Sequence, residues 1–410
     1  MHRLDPTRVF FMLSGGSAFL YSLIFTVNLV YQAQTVSLSP LQLVLAGTTL
    51  ELSAFLFEAP TGILADVYSR RLSVIVGVAL VGIGFVIEGS FPFFVAVLAN
   101  QVLWGLGYTF TSGATEAWLA DEIGEQAAGP VFLRASQVSQ VAGLAAIPAS
   151  VALASIAIQL PIVLGGLLFI GLAGVLWLAM PETGFAPTPV EERESWRQMA
   201  ATARDGVRMV RGRPILQIIM AISLVVGLYS EGYDRLWTPH LLKNFAFPAL
   251  LGLQPIVWFG VISAGSSLFS IGATEIACRQ RITEDSQRMI GLMMALDSAM
   301  LLALLLLAWA GNFWAALLAL WLFSAARSTL ESLDSAWIVR HTSGHARATA
   351  ISFASQLNAI GQVVGGPAVG WIGTVVSLPA ALTASALLMS PILPLLARGK
   401  RLEQRSARSK

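Results

Sequence analysis

The stretch EAPTGILADVYSRR, from Glu58 to Arg71, separates two long apolar runs of the chain. Leu41–Phe57 precede it and Leu72–Ile87 follow it, and each run is close to the roughly 20 residues that a helix needs to cross a bilayer. The stretch itself carries Asp66 and Arg70, so it reads as a short charged hinge. A hinge this short holds two membrane spans side by side and places its cations on one face of the membrane.

The composition of the whole chain indicates that lipid, rather than water, surrounds the fold. Hydrophobic residues make up 56% of the 410 residues and charged residues only 12%, whereas a soluble domain carries about 25% charged residues. The single cysteine, Cys278, excludes an intrachain disulfide framework and a cysteine-based metal cluster.

Apolar runs of spanning length recur along the chain, separated by Gly, Pro or charged residues. They predict an all-α membrane protein with twelve transmembrane helices. The predicted spans are 9–31, 41–64, 72–90, 93–119, 131–155, 159–180, 214–235, 251–277, 289–309, 312–338, 349–373 and 376–397.

The basic residues predict how the chain is oriented in the membrane. If both termini are cytoplasmic, all but three of the 25 Lys and Arg residues fall on the cytoplasmic side, the exceptions being Arg235, Lys243 and Arg327. Because cytoplasmic segments are enriched in Lys and Arg, we expect a multi-pass protein of the inner (cytoplasmic) membrane with both termini inside the cell.

An internal repeat relates the two halves of the chain. A constant offset of 219 residues aligns identical residues from spans four and five with residues from spans ten and eleven, which predicts two six-helix bundles repeated in parallel, as in many transporters. The aligned pairs are Asp66 with Asp285, Ala117 and Trp118 with Ala336 and Trp337, Ala135 to Gln137 with Ala354 to Gln356, and Pro148 with Pro367.

The repeat sets the expected domain boundaries. Residues 1–180 form the N-terminal bundle and residues 214–397 the C-terminal bundle. The cytoplasmic linker 181–213 has apolar residues at helical spacing with arginines between them, which predicts an amphipathic connecting helix on the inner leaflet or against the two halves. Residues 398–410 form a basic cytoplasmic tail that we expect to be disordered at the anionic membrane surface.

With these features the chain resembles, over essentially its whole length, the major facilitator superfamily of secondary transporters. In that family the loop between spans two and three reads Gly, any residue, Leu, Ala, Asp, three residues and a basic pair. The matching residues here are Gly62, Leu64, Ala65, Asp66, Arg70 and Arg71, with Ser69 where the family usually has Gly.

Within the superfamily, the chain resembles bacterial twelve-span drug exporters. Two signatures of those exporters differ, however. Gln101 stands where span four often has an Arg that is implicated in proton coupling, and Ile147 replaces the Gly of a Gly-Pro pair in span five. The resemblance implies alternating access between two bundles around a central cavity lined by spans one, four, seven and ten.

The charged hinge and its repeat predict a conformational latch. We expect Gly62, Asp66, Arg70 and Arg71 to act with Asp121 at the end of span four, and Asp285 with Arg340 to form an equivalent pair in the second half with the signs exchanged. The alternative is that these are ordinary solvated charges, because an exposed ion pair is worth only ~0–1 kcal/mol.

Ionisable residues inside the spans are candidates for coupling, since each costs about 2.5–3.5 kcal/mol at the bilayer centre on insertion scales. Glu51, Glu116 and Asp334 are the proton-coupling candidates; Asp297 is a further carboxylate in span nine. At the outer end of span seven, Asp234 and its charged neighbours are expected to lie in the headgroup region.

Other polar residues are candidates for lining the substrate cavity, namely Asn28, Gln137, Arg327, Glu331 and Gln356. Arg327 and Glu331 lie one helical turn apart. They either form an acidic, partly neutralised stripe for a cationic substrate or a self-satisfied ion pair that joins helices. Interhelical hydrogen bonds are the competing role of the amides.

Together these features predict a secondary active transporter, rather than an enzyme, that exports small hydrophobic or amphipathic compounds in exchange for protons. An importer or lipid-type flippase of the same fold, and a non-transporting receptor or sensor, are the alternatives. The expected partners are a small-molecule substrate, protons and the lipid bilayer. We expect a monomer that uses no cofactor, metal or nucleic acid, and the chain has no GxxxxGK[ST] phosphate loop.

Overall fold

A computed structural model describes residues 4–187, 204, 206–249, 254–280, 282, 285–342 and 345–408. These residues are almost entirely helical. Most of the predicted linker helix lies outside the described residues, although residues 206–210 are helical.

The helices of the first half follow the predicted spans closely. They are α1 (Pro6–Phe25), α2 (Asn28–Gln34), α3 (Pro40–Val67), α4 (Arg70–Ser90), α5 (Phe94–Thr111), α6 (Ala114–Ile123), α7 (Glu125–Ile156) and α8 (Leu160–Ala179).

The helices of the second half repeat this order. They are α9 (Pro214–Asn244), α10 (Ile256–Arg279), α11 (Ser286–Trp309), α12 (Phe313–His341), α13 (His345–Val375), α14 (Leu378–Met389) and α15 (Ile392–Arg408). Eleven stretches of the described chain are long and apolar enough to cross a membrane, and the remaining predicted span, 349–373, lies within α13. The all-α membrane fold is therefore confirmed.

Side-chain caps explain where several helices begin. Ser69 Oγ accepts a hydrogen bond from the Leu72 amide at 2.9 Å and starts α4. Asn312 Oδ1 accepts from the Ala315 amide at 3.0 Å and starts α12. Because such caps satisfy amide groups that have no partner within the helix, they define short turns between consecutive spans.

Three predicted spans are each divided into two helices. The interruptions lie at Thr26–Val27 in span one, Ser112–Gly113 in span four and Ser390–Pro391 in span twelve. Interrupted helices are common in transporters, where they line binding sites.

The C-terminal tail corrects one expectation. Residues 398–408 continue α15 instead of being disordered. This segment is anchored to other helices, because Glu403 Oε1 lies 2.8 Å from His341 Nε2 and the Gln404 amide donates to Gln287 Oε1 at 3.0 Å.

Contacts divide the chain into two compact units. The first unit contains Met1–Leu38, Thr49–Met199 and Leu251–Gly260, and the second contains Ser39–Thr48, Ala200–Leu250 and Val261–Lys410. Each unit has the same internal pairing of helices. In the first, α1 packs along α7 and α4 along α5 and α8; in the second, α9 packs along α13 and α11 along α12 and α14.

The aligned tryptophans show how the repeat is built into each core. Trp118 and Trp337 are both almost fully buried. Trp118 donates to the Pro181 carbonyl oxygen at 2.7 Å, just after the last helix of its unit. Trp337 lies against Gly399 in α15, where a Cβ would be 3.0 Å from the indole ring. In both units the tryptophan therefore fixes the segment near the end of that unit's last span.

Candidate functional site

A cavity in the first unit lies beside the interruption between α5 and α6. Gly113 has φ of +71°, a left-handed conformation that glycine adopts without strain. The cavity has a volume of about 580 Å³. Its wall is formed by Leu13, Ser14, Ser17, Tyr21, Val78, Val81, Tyr108, Thr111, Ser112, Gly113, Thr115, Glu116 and Phe169.

Glu116 is the charged residue of this cavity wall. It lies in the first turn of α6, with its side chain exposed. Tyr21 and Phe169 form an aromatic surface in the same wall, with ring centroids 4.9 Å apart. The cavity therefore combines hydroxyl groups, aromatic rings and one carboxylate, a combination that suits an amphipathic ligand with a positive charge.

The charged hinge forms a network around Arg70. Arg70 donates to the Asp121 carboxylate and to the Ala117 carbonyl oxygen at 3.3 Å, and its Nη2 lies 3.6 Å from Asp66 Oδ1. The Arg70 side chain is only 16% exposed, so these interactions are screened less than those of a surface pair. The predicted contact between the hinge and the end of span four is present; its role as a latch stays a prediction.

Arg71 and Ser69 bind residues at the end of α8 and just after it, and not the end of span four. We expected both arginines of the pair to bind an acid of span four, but Arg71 donates to the Trp177 carbonyl oxygen and its guanidinium lies 5.5 Å from the indole centroid. Glu182, which sequence analysis missed, accepts hydrogen bonds from Ser69 Oγ at 2.8 and 2.9 Å and from the Arg71 amide at 3.0 Å. The hinge is thus fixed to α6 by Arg70 and to the end of α8 by its neighbours.

The corresponding residues of the second unit are more exposed. Asp285 caps α11 by accepting from the Gln287 amide at 2.8 Å, and its carboxylate lies 3.5 Å from Arg288. Arg340 lies exposed in the last turn of α12. The pairing of Asp285 with Arg340 stays a prediction, and the observed partner of Asp285 is a neighbour on its own helix.

A charged group within the spans of the second unit centres on Arg327 of α12. Its Nη1 lies 2.6 Å from Asp234 Oδ1 on α9, and its Nε lies 3.2 Å from Glu331 Oε1. The predicted Arg327–Glu331 pair therefore exists, but the shorter bond goes to Asp234. The sequence places Asp234 at the outer end of span seven and therefore predicts a position in the headgroup region. It does not predict the contact with Arg327, which lies 93 residues away along the chain.

Two further carboxylates complete this group, which we call the α12 cluster. Asp297 on α11 is 6% exposed, and Asp334 on α12 is half-buried. Tyr229 of α9 is buried and interacts electrostatically with Arg327, Asp234 and both these carboxylates. The charged residues therefore surround one point in the second unit. Asp234, Asp297, Glu331 and Asp334 make four carboxylates against one guanidinium.

A second ion pair lies nearby along α9. Arg235 Nε donates to Glu231 Oε1 at 2.8 Å, and both side chains are largely buried. Gly47 of α3 packs directly on this pair, because a Cβ there would overlap Glu231 Oε1. The pair is thus buried against α3 at Gly47, unlike a headgroup-region pair in water.

The other predicted site residues are dispersed. Asn28 is buried at the start of α2, Gln137 is exposed on α7, and Gln356 is half-buried on α13. Glu51 is half-buried on α3, and it takes part in an interaction within the structure. Among the described residues, no group of three or more His, Cys, Asp or Glu side chains could hold a metal ion.

Comparison with known proteins identifies the fold. No family model matches the chain. It is similar to the nucleoside transporter NupG, with a TM-score of 0.74 and 15% identity over 97% of this chain and 99% of that one. The chain has the fold of the major facilitator transporters.

Other matches agree with this fold. A bacterial homologue of the human lysosomal transporter Spinster gives a TM-score of 0.73 at 14% identity, covering 97% of this chain and 96% of that one. A POT family transporter gives 0.70 at 12% identity, covering 95% and 94%.

One sequence relative carries the superfamily in its description. The uncharacterized MFS-type transporter YxaM of Bacillus subtilis (strain 168) is 28% identical over 102 residues, which are 24% of this chain and 25% of YxaM. The match therefore spans about a quarter of the relative's length. The drug-exporter subfamily receives no support from these comparisons.

Proposed function

We propose that this protein is a secondary active transporter that exports small hydrophobic or amphipathic compounds in exchange for protons. The major facilitator fold supports transport by alternating access. The coupling ion and the substrate class are proposed from the residues of the candidate sites, and export is proposed from the resemblance to drug exporters.

The α12 cluster is the observation that carries the proton-coupling proposal. Its four carboxylates exceed its single guanidinium, and an unneutralised carboxylate in a membrane span is costly. Carboxylates that share a water-poor site lower this cost by holding a proton between them. Asp334 and Asp297, which lie beyond the direct Arg327 contacts, are therefore the groups that we assign to proton exchange, with Glu51 and Glu116 as further candidates.

The cavity of the first unit supports the substrate class. Its aromatic wall at Tyr21 and Phe169 suits an apolar body, and the Glu116 carboxylate suits a cationic group. We propose that lipophilic cations bind there. The Arg70 network is proposed as a latch, because its partly buried charges would be exchanged or exposed if the hinge moved relative to α6.

Transport in liposomes tests this proposal. The purified protein is reconstituted, a pH gradient is imposed, and uptake of the lipophilic cation tetraphenylphosphonium is followed. We expect the gradient to drive accumulation by the parent, Asp334→Asn to lose that accumulation while retaining exchange of labelled for unlabelled compound, and Glu116→Gln to weaken binding.

Glu125→Gln is the matched control. Glu125 is an exposed carboxylate in the first turn of α7, outside both candidate sites, so this variant should transport like the parent. If Asp334→Asn, Asp297→Asn and Glu116→Gln all transport like the parent, the assignment is wrong. Tight binding of a ligand without movement of any compound would favour a receptor.

A second candidate substrate class is a small polar solute, such as the nucleosides of NupG. The observation that favours it is the hydroxyl-rich side of the same cavity, formed by Ser14, Ser17, Thr111, Ser112 and Thr115. Counterflow with labelled uridine, a dipeptide and a lysolipid distinguishes it from the amphipathic cations. Exchange of uridine but not of tetraphenylphosphonium would replace the first proposal.

A further inference from the structure

Glu88 is a carboxylate fully buried inside the first unit. It lies on α4, two residues before the helix ends at Ser90, and none of its surface is exposed. Removing a carboxylate from water is expensive unless its oxygens are hydrogen-bonded or its charge is neutralised. The residues around Glu88 therefore show which groups stabilise the buried carboxylate.

Amide groups from two other helices bind the Glu88 carboxylate. Gln32 Nε2 of α2 donates to Glu88 Oε1 at 2.7 Å, and Asn100 Nδ2 of α5 donates to Glu88 Oε2. The Tyr31 hydroxyl donates to the Glu88 backbone carbonyl oxygen at 2.7 Å. Each carboxylate oxygen is thus held by a neutral donor, and three helices meet at this one residue.

The same amides have oxygen atoms that are buried and unused. Among the described residues, Gln32 Oε1, Asn100 Oδ1 and Asn28 Oδ1 are buried without a hydrogen-bond partner. Gln32 and Asn100 are fully buried, and Asn28 is 3% exposed. A buried acceptor left unsatisfied costs about 1–3 kcal/mol. Two of these oxygens belong to the amides that bind the Glu88 carboxylate, so a ligand that these oxygens could bind would relieve that cost.

Few cationic side chains lie in this part of the chain. Between residues 9 and 180 they are Arg70, Arg71 and Arg134. Arg71 is 17 residues away on α4, or about 25 Å at 1.5 Å per residue, and it binds Trp177. The two arginines of α4 therefore lie at the opposite end of that helix from Glu88.

The helices near Glu88 carry few titratable groups among the described residues. Tyr31 on α2 contacts Glu88 through its hydroxyl. Tyr108 is the titratable group of α5, and α8 contains none. Those of α6 are Glu116, Asp121 and Glu122. Glu116 shares the cavity wall with Val78, which is about 15 Å along α4 from Glu88.

We propose that Glu88, with the amides of Gln32 and Asn100, binds a monovalent cation, either a proton or Na⁺. An amide can serve both states of such a site, because rotating it by 180° exchanges its N–H donors for its oxygen. When Glu88 is ionised and binds no cation, the amide N–H groups stabilise the carboxylate through the hydrogen bonds described above. With the cation present, the amide oxygens accept from a carboxylic acid or coordinate Na⁺, as oxygen ligands do beside interrupted membrane helices.

Cation binding at Glu88 would act on the interruption of span one. The short helix α2 follows the break at Thr26–Val27 and is attached to α4 through Tyr31 and Gln32. Turning the Gln32 amide exchanges the bond that joins α2 to the Glu88 carboxylate. Binding of a cation at Glu88 would thus change how α2 is held relative to α1. This effect of the cation does not need a bound substrate.

Thermal unfolding of the purified full chain in detergent tests this site without substrate. One series runs from about pH 5 to about pH 8, the range in which a buried carboxyl group titrates. The other replaces choline chloride by NaCl at about pH 8. The variant is Glu88→Gln, which keeps the shape of the side chain, and the control is Glu125→Gln.

The two series distinguish the cations. If the ligand is a proton, the parent loses Tm relative to Glu88→Gln as pH rises, by about 2 °C or more, because proton binding stabilises the folded state only below the titration range. If the ligand is Na⁺, NaCl raises the Tm of the parent by a similar amount and leaves that of Glu88→Gln unchanged. In both cases Glu125→Gln should respond like the parent.

Identical responses of the parent and Glu88→Gln in both series would overturn the proposal. If Glu88→Gln does not fold, the variant Gln32→Leu tests the same site. It removes one amide from the site, so its response should require an at least tenfold higher concentration of the cation, and a response equal to that of the parent would again overturn the site. Because no substrate is used, these outcomes are independent of the proposed drug export.

Discussion

Replacement of Gly166 by alanine tests a close contact between two helices of the first unit, α4 and α8. A Cβ on Gly166 of α8 would lie 2.7 Å from the Gly82 carbonyl oxygen and 2.8 Å from the Val86 amide nitrogen of α4. Ordinary contact begins at 3.4 Å, so α8 would have to withdraw by the difference, about 0.7 Å. Both obstacles are backbone atoms, which no side-chain rotation can move away.

The cost follows from this forced separation. Overpacking of this kind costs about 1–3 kcal/mol, and membrane helices depend on close packing at small residues. We therefore expect Gly166→Ala to lower the free energy of unfolding by about 1–3 kcal/mol. The assay is unfolding of the purified protein in mixed dodecyl maltoside and SDS micelles, followed by tryptophan fluorescence.

The same helix supplies the control. A Cβ on Gly171 meets no atom within 4 Å, and alanine favours a helix over glycine by about 0.5–1 kcal/mol. Gly171→Ala should therefore unfold at an equal or higher SDS fraction than the parent. If Gly166→Ala proves as stable as Gly171→Ala, the close contact between α4 and α8 does not exist as described.

Three further substitutions probe the candidate sites. Arg327→Met should lower the free energy of unfolding by about 1–3 kcal/mol, since it leaves partly buried carboxylates unpaired, and a double-mutant cycle with Asp234→Asn should recover part of this loss. Gly47→Ala should lower the free energy of unfolding by about 1 kcal/mol, because its Cβ overlaps the ends of the Glu231 and Arg235 side chains, which must move; parent-like stability would contradict the packing. Gly113→Ala should cost about 1–2 kcal/mol for its left-handed backbone, with Gly113→Asn less affected in the same thermal-shift measurement.

Much of the fold could be predicted from the sequence because the membrane imposes simple rules. Spanning length and the offset that aligns Trp118 with Trp337 were sufficient to predict two repeated bundles. The break at Gly113 also had a visible signal, a glycine in an apolar span. The break at Thr26–Val27 had none, since neither residue is glycine or proline.

The candidate sites were less predictable because their contacts connect distant parts of the chain. The pattern of α12 predicted the local pair of Arg327 with Glu331, but the shorter bond goes to Asp234 on another helix. Glu88 was missed because it lies near the end of a span, where a charged residue needs no explanation. Its hydrogen-bond donors, Gln32 and Asn100, lie on two other helices that come next to it only when the chain folds.

The lone cysteine offers a native reporter of membrane topology. Cys278 is exposed next to the end of α10, and the expected orientation puts that helix end on the cytoplasmic side. A membrane-impermeant maleimide should therefore modify inside-out vesicles and leave intact cells unlabelled, without any engineered cysteine. The same thiol is also a single attachment point for a fluorophore, so movement of the second unit can be followed in the unaltered chain.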